Sequence, residues 1–257
     1  MLPLTPRQLD IVQRARAAGR VDVEPLAVQF GVSPQTIRKD LNDLCERGVL
    51  QRFHGGAMVT SGVANLGYEA RRRLATEAKR RIGAHAASMI PDDSSLLINI
   101  GTTTEQVAHA LRDRSGLMVI TNNIHVAHIL QGSPAIEVIV AGGVLRHGDG
   151  GIVGEAAVDF IRQFRVDFAI VGVSAIDSDG SLLDFDYREV RVAKAILEGS
   201  RRCILVADAM KFARSAPVRI GHISQIDHLV TDEAPPAAVA ALLREHDIGI
   251  DVVGTTD

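Results

Sequence analysis

Residues 26–57 read LAVQFGVSPQTIRKDLNDLCERGVLQRFHGGA, and this stretch decides the fold of the amino-terminal part of the chain. Its apolar spacing predicts a short helix from Pro25 to Phe30, which Gly31 ends. Ser33 is a preferred N-cap, and Pro34 suits the first position of a following helix because its missing N–H costs nothing there. The stretch therefore predicts two short helices separated by a glycine turn.

The second of these helices has one apolar and one polar face. Ile37, Leu41 and Leu44 recur at the helical period and face inward. A helix with polar and basic side chains outside fits the major groove, where Gln pairs with adenine and Arg or Lys with guanine. Its first amide groups also suit a phosphate. The spacing alone also fits a solvated helix on an unrelated three-helix unit. The helix-turn-helix interpretation predicts DNA contacts by Ser33, Pro34, Gln35, Thr36, Arg38 and Lys39.

The flanking sequence extends this module. A third apolar-periodic segment predicts a helix over residues 6–18, ended by Gly19. After Gly48, the segment VLQRFHGGA alternates and ends in a Gly-Gly turn, which predicts a small β-hairpin or wing. Arg52 and His54 on this wing are placed to contact the DNA backbone or the minor groove. We therefore predict a winged helix-turn-helix over residues 1–58.

Residues 26–57 also resemble a known family of proteins. The run quoted above resembles the DNA-binding module of DeoR-family bacterial repressors, with its SPQTIR(R/K)DL recognition helix and HGGA wing. The resemblance implies a winged helix-turn-helix that binds an operator, and it favours DNA recognition over a merely solvated helix.

Beyond this module the pattern changes. The small and polar residues VTSGVANLG (59–67) indicate a linker, assigned to residues 59–73, and a basic helix with Arg71 and Arg81 among its residues follows. Residues 74–257 then alternate between apolar runs and amphipathic stretches, which predicts an α/β domain with a mostly parallel sheet covered on both faces. The predicted strands are SLLINI (95–100), LMVIT (117–121), IEVIVAG (136–142), VDFAIVGV (166–173), RCILVAD (202–208) and HLVTD (228–232).

Polar residues follow several of these strands. Gly101 and three threonines come directly after SLLINI and begin a helix, an arrangement that suits an anion but also an ordinary helix cap. Ligands of open α/β sheets bind beyond the carboxyl ends of the strands, so these residues are expected to converge on one crevice. An acidic and basic set around Asp184 fits hydroxyl and phosphate binding and a solvated helix start equally well. The candidate ligand residues are Gly101, Thr102, Thr103, Thr104, Asn122, Asn123, Gly142, Gly143, Asp186, Glu189, Asp208 and Lys211.

The resemblance continues through residues 74–257. Several stretches there are similar to one DeoR subgroup, the repressors of glycerol-3-phosphate genes. These stretches are IGTTTEQVAHAL, ITNN, AGGVLR, residues 149–201 and DAMKFARSA. The resemblance implies a sensor domain related to ribose-5-phosphate isomerase that binds a phosphorylated metabolite. On that resemblance Thr102, Thr103 and Thr104 hold the phosphate, while Asp186, Glu189 and Lys211 line the polyol end. This sequence departs from the family pattern at two places. Asn99 stands where many family members have an aspartate, and Ala209-Met210 stands where the family frequently has two polar residues.

Composition limits the other possibilities. The chain has 257 residues and a net charge of -3, but residues 1–90 carry +6 and residues 91–257 carry -9. An amino-terminal basic part is typical of a polyanion-binding module. His125 and His128 share a helix face without a third ligand, so we expect no metal site. Cys45 and Cys203 lie in unlike contexts and are expected to be free thiols in a reducing compartment. With neither a signal peptide nor an apolar span visible, we expect a cytoplasmic protein.

The residues together with the family resemblance thus favour a homo-oligomeric repressor, a dimer or tetramer without a cofactor, that leaves operator DNA when glycerol-3-phosphate binds. A DeoR-type repressor answering to another phosphorylated sugar fits the same residues. An isomerase fused to a small amino-terminal unit is the third reading, with Glu189, Asp186 and Asp208 as its only plausible bases.

Overall fold

The computed structural model describes residues 4–18, 20–46, 49–53, 55–59 and 67–254. Two compact units are present, Met1–Leu74 and Ala75–Asp257. No helix in these described ranges is long and apolar enough to cross a membrane.

The first unit contains the predicted helix-turn-helix and wing. Ile11, Ile37, Leu41 and Leu44 are fully buried in its core, as the apolar spacing predicted. The wing has three strands rather than two, since β1 pairs antiparallel with β3 and β3 with β2. In chain order the elements are α1 Pro6–Ala18, β1 Arg20–Asp22, α2 Val23–Phe30, α3 Pro34–Glu46, β2 Leu50–Phe53, β3 Gly56–Val59 and α4 Tyr68–Arg73.

The basic segment after the linker differs from its prediction. Instead of one helix through residues 71–81, α4 ends at Arg73 and a new helix begins at Thr76. The break falls at Ala75, whose φ of 50° lies in the left-handed region that helices do not use. Helix α4 lies inside the predicted linker range, and residues 60–66 of that range lie outside the described residues.

The second unit is an α/β domain. Its helices alternate with strands along the chain, as the sequence pattern predicted. In chain order its elements are α5 Thr76–Ser88, β4 Ser95–Ile98, α6 Thr102–Leu111, β5 Leu117–Thr121, α7 Ile124–Leu130, β6 Ile136–Val140, β7 Val144–Leu145, β8 Ile152–Val153, α8 Glu155–Ile161, β9 Val166–Val171, β10 Ala175–Ile176, β11 Ser181–Asp184, α9 Tyr187–Glu198, β12 Ser200–Val206, β13 Val218–His222, β14 His228–Thr231, α10 Ala237–Glu245 and β15 Gly249–Val252.

Seven strands form one sheet in the order β15-β14-β12-β9-β4-β5-β6, and every neighbouring pair is parallel. All six predicted strands lie in it, and β15 is an edge strand that the sequence did not indicate. Helices α5, α6 and α7 pack on one face, and α8, α9 and α10 on the other. The strand order reverses between β4 and β9, so the two βα connections leave the sheet in opposite directions there. A crevice is expected at the carboxyl ends of these two strands.

Two small antiparallel sheets accompany the large one. Strands β7 and β8 form a hairpin, and β11 lies between β10 and β13. Neither was predicted, because strands of two to five residues leave little periodic signal. The loop of the β7–β8 hairpin, residues 146–151, contains Arg146.

Both cysteines are free, as expected. Cys203 is buried in β12, and burial raises the pKa of its thiol. Cys45 is half-buried in α3.

Candidate nucleic-acid interface and ligand crevice

The turn between α2 and α3 is built as the sequence predicted. Gly31 has a φ of 61° and its N–H bonds to Ala27 O and Val28 O, which closes α2 in a left-handed cap. Ser33 Oγ accepts the amide hydrogen of Thr36 at 3.2 Å, so Ser33 caps α3. The hydroxyls of Ser33 and Thr36 also lie 2.9 Å apart and hydrogen-bond to each other.

The outer face of α3 is open to solvent. Gln35, Arg38, Lys39 and Asn42 are exposed, while Thr36 is half-buried. Arg38 Nη2 lies 3.3 Å from Glu24 Oε1 of α2, an exposed pair that gives up little energy when Arg38 turns to another anion. The helix therefore presents amide, hydroxyl and cationic groups side by side at a rigid surface.

Helix α1 anchors the recognition helix by contacts that the sequence did not reveal. Arg7 Nε donates to Asp40 Oδ2 at 2.6 Å, and Gln8 Nε2 donates to Asp43 Oδ2 at 2.7 Å. Asp40 and Gln8 are both buried. The Asp40 carboxylate raises the pKa of Arg7, although burial opposes that rise. These contacts fix the angle of α3 and neutralise Asp40, a negative charge beside the proposed DNA face.

On the wing, Arg52 Nη1 donates to the carbonyl of Gly56 at 3.1 Å, which ties the side chain across the β2–β3 hairpin. The side chain remains exposed beside the hairpin. His54 lies outside the described residues.

In the second unit, the predicted strand-end residues share one edge of the sheet. Because every strand is parallel, the carboxyl ends of β4, β5, β6 and β12 point the same way. These ends carry Gly101 with Thr102, Thr103 and Thr104, then Asn122 and Asn123, Gly142 and Gly143, and Asp208.

The three threonines at the start of α6, Thr102 to Thr104, are not equivalent as hydrogen-bond donors to a ligand. Thr102 and Thr103 begin α6, where the first amide groups have no helical acceptor. Thr104 is fully buried, and its hydroxyl bonds at 2.9 Å to Asn99 O and at 2.8 Å to Gly101 O. Its hydroxyl hydrogen is therefore committed to the protein, while the turn's amide groups point outward from the helix start.

Asn99 has a structural task. Its Nδ2 donates to Gly172 O at 2.9 Å and its Oδ1 accepts from Gly172 N at 2.8 Å. This reciprocal pair joins the ends of β4 and β9. Only an amide side chain both donates and accepts in this way, since an ionised carboxylate has no hydrogen to donate.

Asn122 and Asn123 continue the edge beyond β5. Asn123 Oδ1 caps α7 by accepting from His125 N at 2.9 Å. Asn122 Nδ2 donates to Ile152 O at 3.0 Å, whereas its buried Oδ1 has no hydrogen-bond partner among the described residues. An unsatisfied buried acceptor costs about 1–3 kcal/mol, so this oxygen is suited to receive a ligand donor or a water.

The glycines after β6 are placed for close backbone contact. Gly142 is exposed, and Gly143 has a φ of 151°. A Cβ on Gly143 would lie 2.8 Å from Val153 O, so a side chain there would push the β7–β8 hairpin away.

Two further buried acceptors lie at the ends of β12 and β14. Asp208 Oδ1 and Thr231 Oγ1 have no hydrogen-bond partner within the described part of the chain. Asp232 accepts from Ala209 N at 2.7 Å, and burial together with the Asp208 carboxylate raises the pKa of Asp232. Lys211 is half-buried in a short 3-10 turn, Ala209–Ala213, and its N–H bonds to Asp208 O at 2.9 Å.

The sequence reasoning missed Arg146, which gathers the acidic residues. Its Nε and Nη2 bond to Asp149 at 2.8 and 2.6 Å, its Nη1 bonds to Asp186 at 3.1 Å, and its Nη2 also contacts Glu189. Asp186 also caps α9 and pairs with Arg188. The AGGVLR motif contained Arg146, but its partners lie 40 and 43 residues further along, beyond any local pattern.

The charges in this cluster are strongly coupled. Burial raises the pKa of Glu189 to about 8, Asp184 adds to the rise and Arg146 opposes it. Arg188 holds the pKa of Asp186 well below its usual range by hydrogen bonding, and Arg146 contributes. Burial acts to lower the pKa of Arg146, but Glu189 and Asp149 outweigh it and raise that pKa. The cluster therefore offers carboxyl groups, with the proton of Glu189 favoured, around one permanently charged guanidinium.

Comparison with known proteins agrees with these features. Residues 7–62 match the DeoR-like helix-turn-helix domain, and residues 74–233 match the DeoR C terminal sensor domain. The chain belongs to the DeoR family. The second match covers six of the seven strands of the large sheet, and the first covers α1 to α3 and the wing.

The relatives of this DeoR-family chain are transcriptional repressors. It is 48% identical to the glycerol-3-phosphate regulon repressor of Escherichia coli (strain K12), over 96% of this chain and 98% of the relative. It is 46% identical to the repressor of the same name from Haemophilus influenzae, over 93% of each chain. The HTH-type transcriptional repressor CsqR of Escherichia coli is 42% identical, over 95% and 94%.

Solved structures give looser likenesses to this DeoR-family chain. Ribose 5 phosphate isomerase A from Neisseria gonorrhoeae is 13% identical over 53% of each chain, with a TM-score of 0.39. The beta subunit of eIF2B from Chaetomium thermophilum is 18% identical over 86% of this chain and 77% of that one, with a TM-score of 0.46. The family assignment rests on the sequence matches.

Proposed function

We propose that this chain is a DNA-binding repressor of glycerol-3-phosphate metabolism genes that glycerol-3-phosphate releases from its operator. The observation that carries the proposal is the exposed polar face of α3, held by a buried core and by Arg7, in a chain 48% identical to a repressor of that regulon. Gln35, Arg38 and Lys39 would contact base edges or phosphates.

The residues at the carboxyl ends of the strands support the effector part of the proposal. Glycerol-3-phosphate combines a phosphate with two hydroxyl groups. The start of α6 at Thr102 and Thr103 would receive the phosphate, and Asp186, Glu189 and Lys211 would line the polyol end. Release requires that the ligand bind the DNA-free state more tightly than the DNA-bound state.

A competition titration tests this proposal. The chain is bound to a labelled duplex from the promoter region of its own gene at fixed salt, and glycerol-3-phosphate is added, with glycerol and inorganic phosphate as controls. We expect only glycerol-3-phosphate to weaken operator binding. Operator affinity that stays unchanged at saturating ligand would reject it as the effector.

Another phosphorylated ligand is a second candidate. The CsqR repressor, whose name does not refer to glycerol-3-phosphate, is 42% identical to this chain, against 48% for the glycerol-3-phosphate regulon repressor of Escherichia coli. A thermal-shift panel of phosphorylated metabolites at equal concentration separates the candidates, because a ligand that binds the native state raises Tm more when its concentration is larger relative to its Kd. A larger shift with a hexose or pentose phosphate than with glycerol-3-phosphate would favour the second candidate.

Three further parts belong to the proposal. The chain acts without a cofactor and as a regulator, so assays of pentose and triose phosphate isomerisation should show no turnover. It works in the cytoplasm, where its operator is found.

It assembles as a dimer or tetramer, because two recognition helices one helical turn apart match a pseudo-palindromic operator. Light scattering measures that assembly directly.

A further inference from the structure

The loop between β7 and β8 is attached both to the sheet and to α9. On the sheet side, Ile152 N donates to Asn122 O at 2.7 Å and Ile124 N donates to Gly150 O at 3.1 Å. On the other side the attachment is Arg146, whose guanidinium contacts Asp186 and Glu189 at the start of α9. Arg146 therefore stands where the end of β5, the glycine-rich loop and α9 meet.

We infer that Arg146 is a positioning residue that holds the carboxyl groups of Asp186 and Glu189 in place to hydrogen-bond the hydroxyl groups of a polyol ligand. The inference rests on the proposed function, because it assigns the polyol end of the same crevice. It adds a residue with a defined task, and it assigns the chemistry of this end of the crevice to hydroxyl groups and not to the phosphate.

The geometry explains why an arginine is needed. A guanidinium has five N–H donors in a fixed plane, enough to bond three carboxylates at once. Arg146 uses Nε and Nη2 on Asp149 and turns Nη1 toward Asp186 and Nη2 toward Glu189. A lysine has a single nitrogen at this position and cannot keep the carboxylates at these separate angles.

Charge balance disfavours a phosphate at this point. Glu189 is faced by Arg146 and Asp149 from the loop and by Asp184 from β11. Arg146, which is half-buried, also bonds to Asp186, and Asp186 pairs with the exposed Arg188. Carboxyl groups therefore outnumber guanidinium groups here, which disfavours a dianion, whereas neutral hydroxyl groups hydrogen-bond to carboxyl oxygens.

One acceptor remains open for such a hydroxyl. Glu189 uses Oε2 on Arg146. Asn122 Oδ1 is buried with no hydrogen-bond partner among the described residues, and Asn122 lies on the backbone segment that holds the Arg146 loop. A buried oxygen without a partner at this edge of the sheet is what a hydroxyl-bearing ligand would satisfy.

The test compares two phosphates by isothermal titration calorimetry: glycerol-3-phosphate and n-propyl phosphate, which has the same carbon number and no hydroxyls. For the wild-type chain we expect glycerol-3-phosphate to bind at least about tenfold more tightly, because a site built for hydroxyls rejects an analogue without them. In Arg146→Gln we expect that preference to fall toward equality while the affinity for n-propyl phosphate is kept. Arg146→Lys should restore part of the preference.

Arg191→Gln is the matched control, since Arg191 is exposed on α9 and pairs with the exposed Glu155 of α8. It should bind both ligands as the wild-type chain does, and circular dichroism checks that each variant is folded. Equal loss of both ligands in Arg146→Gln, or no change in either, would overturn the assignment of Arg146 alone. Binding of neither ligand by the wild-type chain would reject the proposed effector and the polyol assignment with it.

Discussion

At the scale of single residues, Glu189 is a carboxyl group whose proton is held more tightly in the folded chain. Burial and Asp184 raise its pKa to about 8, against an ordinary value of 4.5. The folded chain therefore holds a proton that the unfolded chain releases near its ordinary pKa. The stability gained from this proton is complete below the ordinary pKa and is lost as pH rises through the folded value.

Glu189→Gln removes this dependence, because glutamine does not ionise. We expect the free energy of unfolding of the wild-type chain to fall, relative to the variant, between about pH 5 and pH 8, with a slope of at most about 1.4 kcal/mol per pH unit. Urea unfolding at several pH values measures it. Glu198→Gln, at an exposed position of the same helix, is the control and should run parallel to the wild type. Parallel curves for Glu189→Gln as well would contradict the shifted proton.

Asn99 gives a second prediction at this scale. Asn99→Asp keeps the size of the side chain but loses the hydrogen that Nδ2 donates to Gly172 O, and it places a carboxylate at a site that is 2% exposed. We expect a loss of about 1–3 kcal/mol at pH 7, because a buried acceptor is left without its donor. The loss should shrink as pH falls and the carboxyl group regains a proton. A variant as stable as the wild type at pH 7 would show that the Gly172 contact contributes nothing.

At the scale of elements, the sequence predicted what repeats along the chain and missed what depends on distant partners. The six strands of the parallel sheet and the face of α3 follow from runs of apolar residues that pack locally. Strand β15 was missed because its side chains alternate between half-buried and exposed at a sheet edge. The three-residue strand β1 was missed because its pairing with β3 needs residues 34 to 38 positions further along. Arg146 was missed for the same reason, since only the folded chain brings it to Asp186.

The contact between α1 and α3 carries a prediction at this scale. Arg7→Ala leaves the Asp40 carboxylate, whose side chain is 10% exposed, without its guanidinium partner. We expect the variant to lose about 1–3 kcal/mol of stability in urea unfolding and to bind the operator more weakly, because the angle of α3 is no longer fixed. Arg80→Ala is the control, since its pair with Glu77 is exposed on both sides and surface pairs contribute little. Weakening of equal size in both variants would mean that charge alone, and not anchoring, is responsible.

At the scale of the whole molecule, the basic and acidic parts of the chain coincide with the parts proposed to bind DNA and the effector. Residues 1–90 carry +6 and residues 91–257 carry -9. The basic part contains the α3 face, and the acidic part contains the carboxylate cluster around Arg146. A polyanion is attracted by the first, while the second places hydroxyl acceptors at the crevice. Because the two sets of residues do not overlap, substitutions in one should leave the binding activity of the other intact.

Two alanine variants test this division. Arg38→Ala removes a cation from the exposed face of α3, so we expect weaker operator binding and, if Arg38 meets a phosphate, a salt dependence shallower by about one unit. Its binding of glycerol-3-phosphate should equal that of the wild-type chain. Lys211→Ala should do the reverse, keeping operator affinity without ligand and losing release by glycerol-3-phosphate. Fluorescence anisotropy with the operator duplex at several salt concentrations, with and without ligand, measures both activities. If each variant damaged both activities to the same degree, the two functions would not be separable along the chain, and the charge division would have no functional meaning.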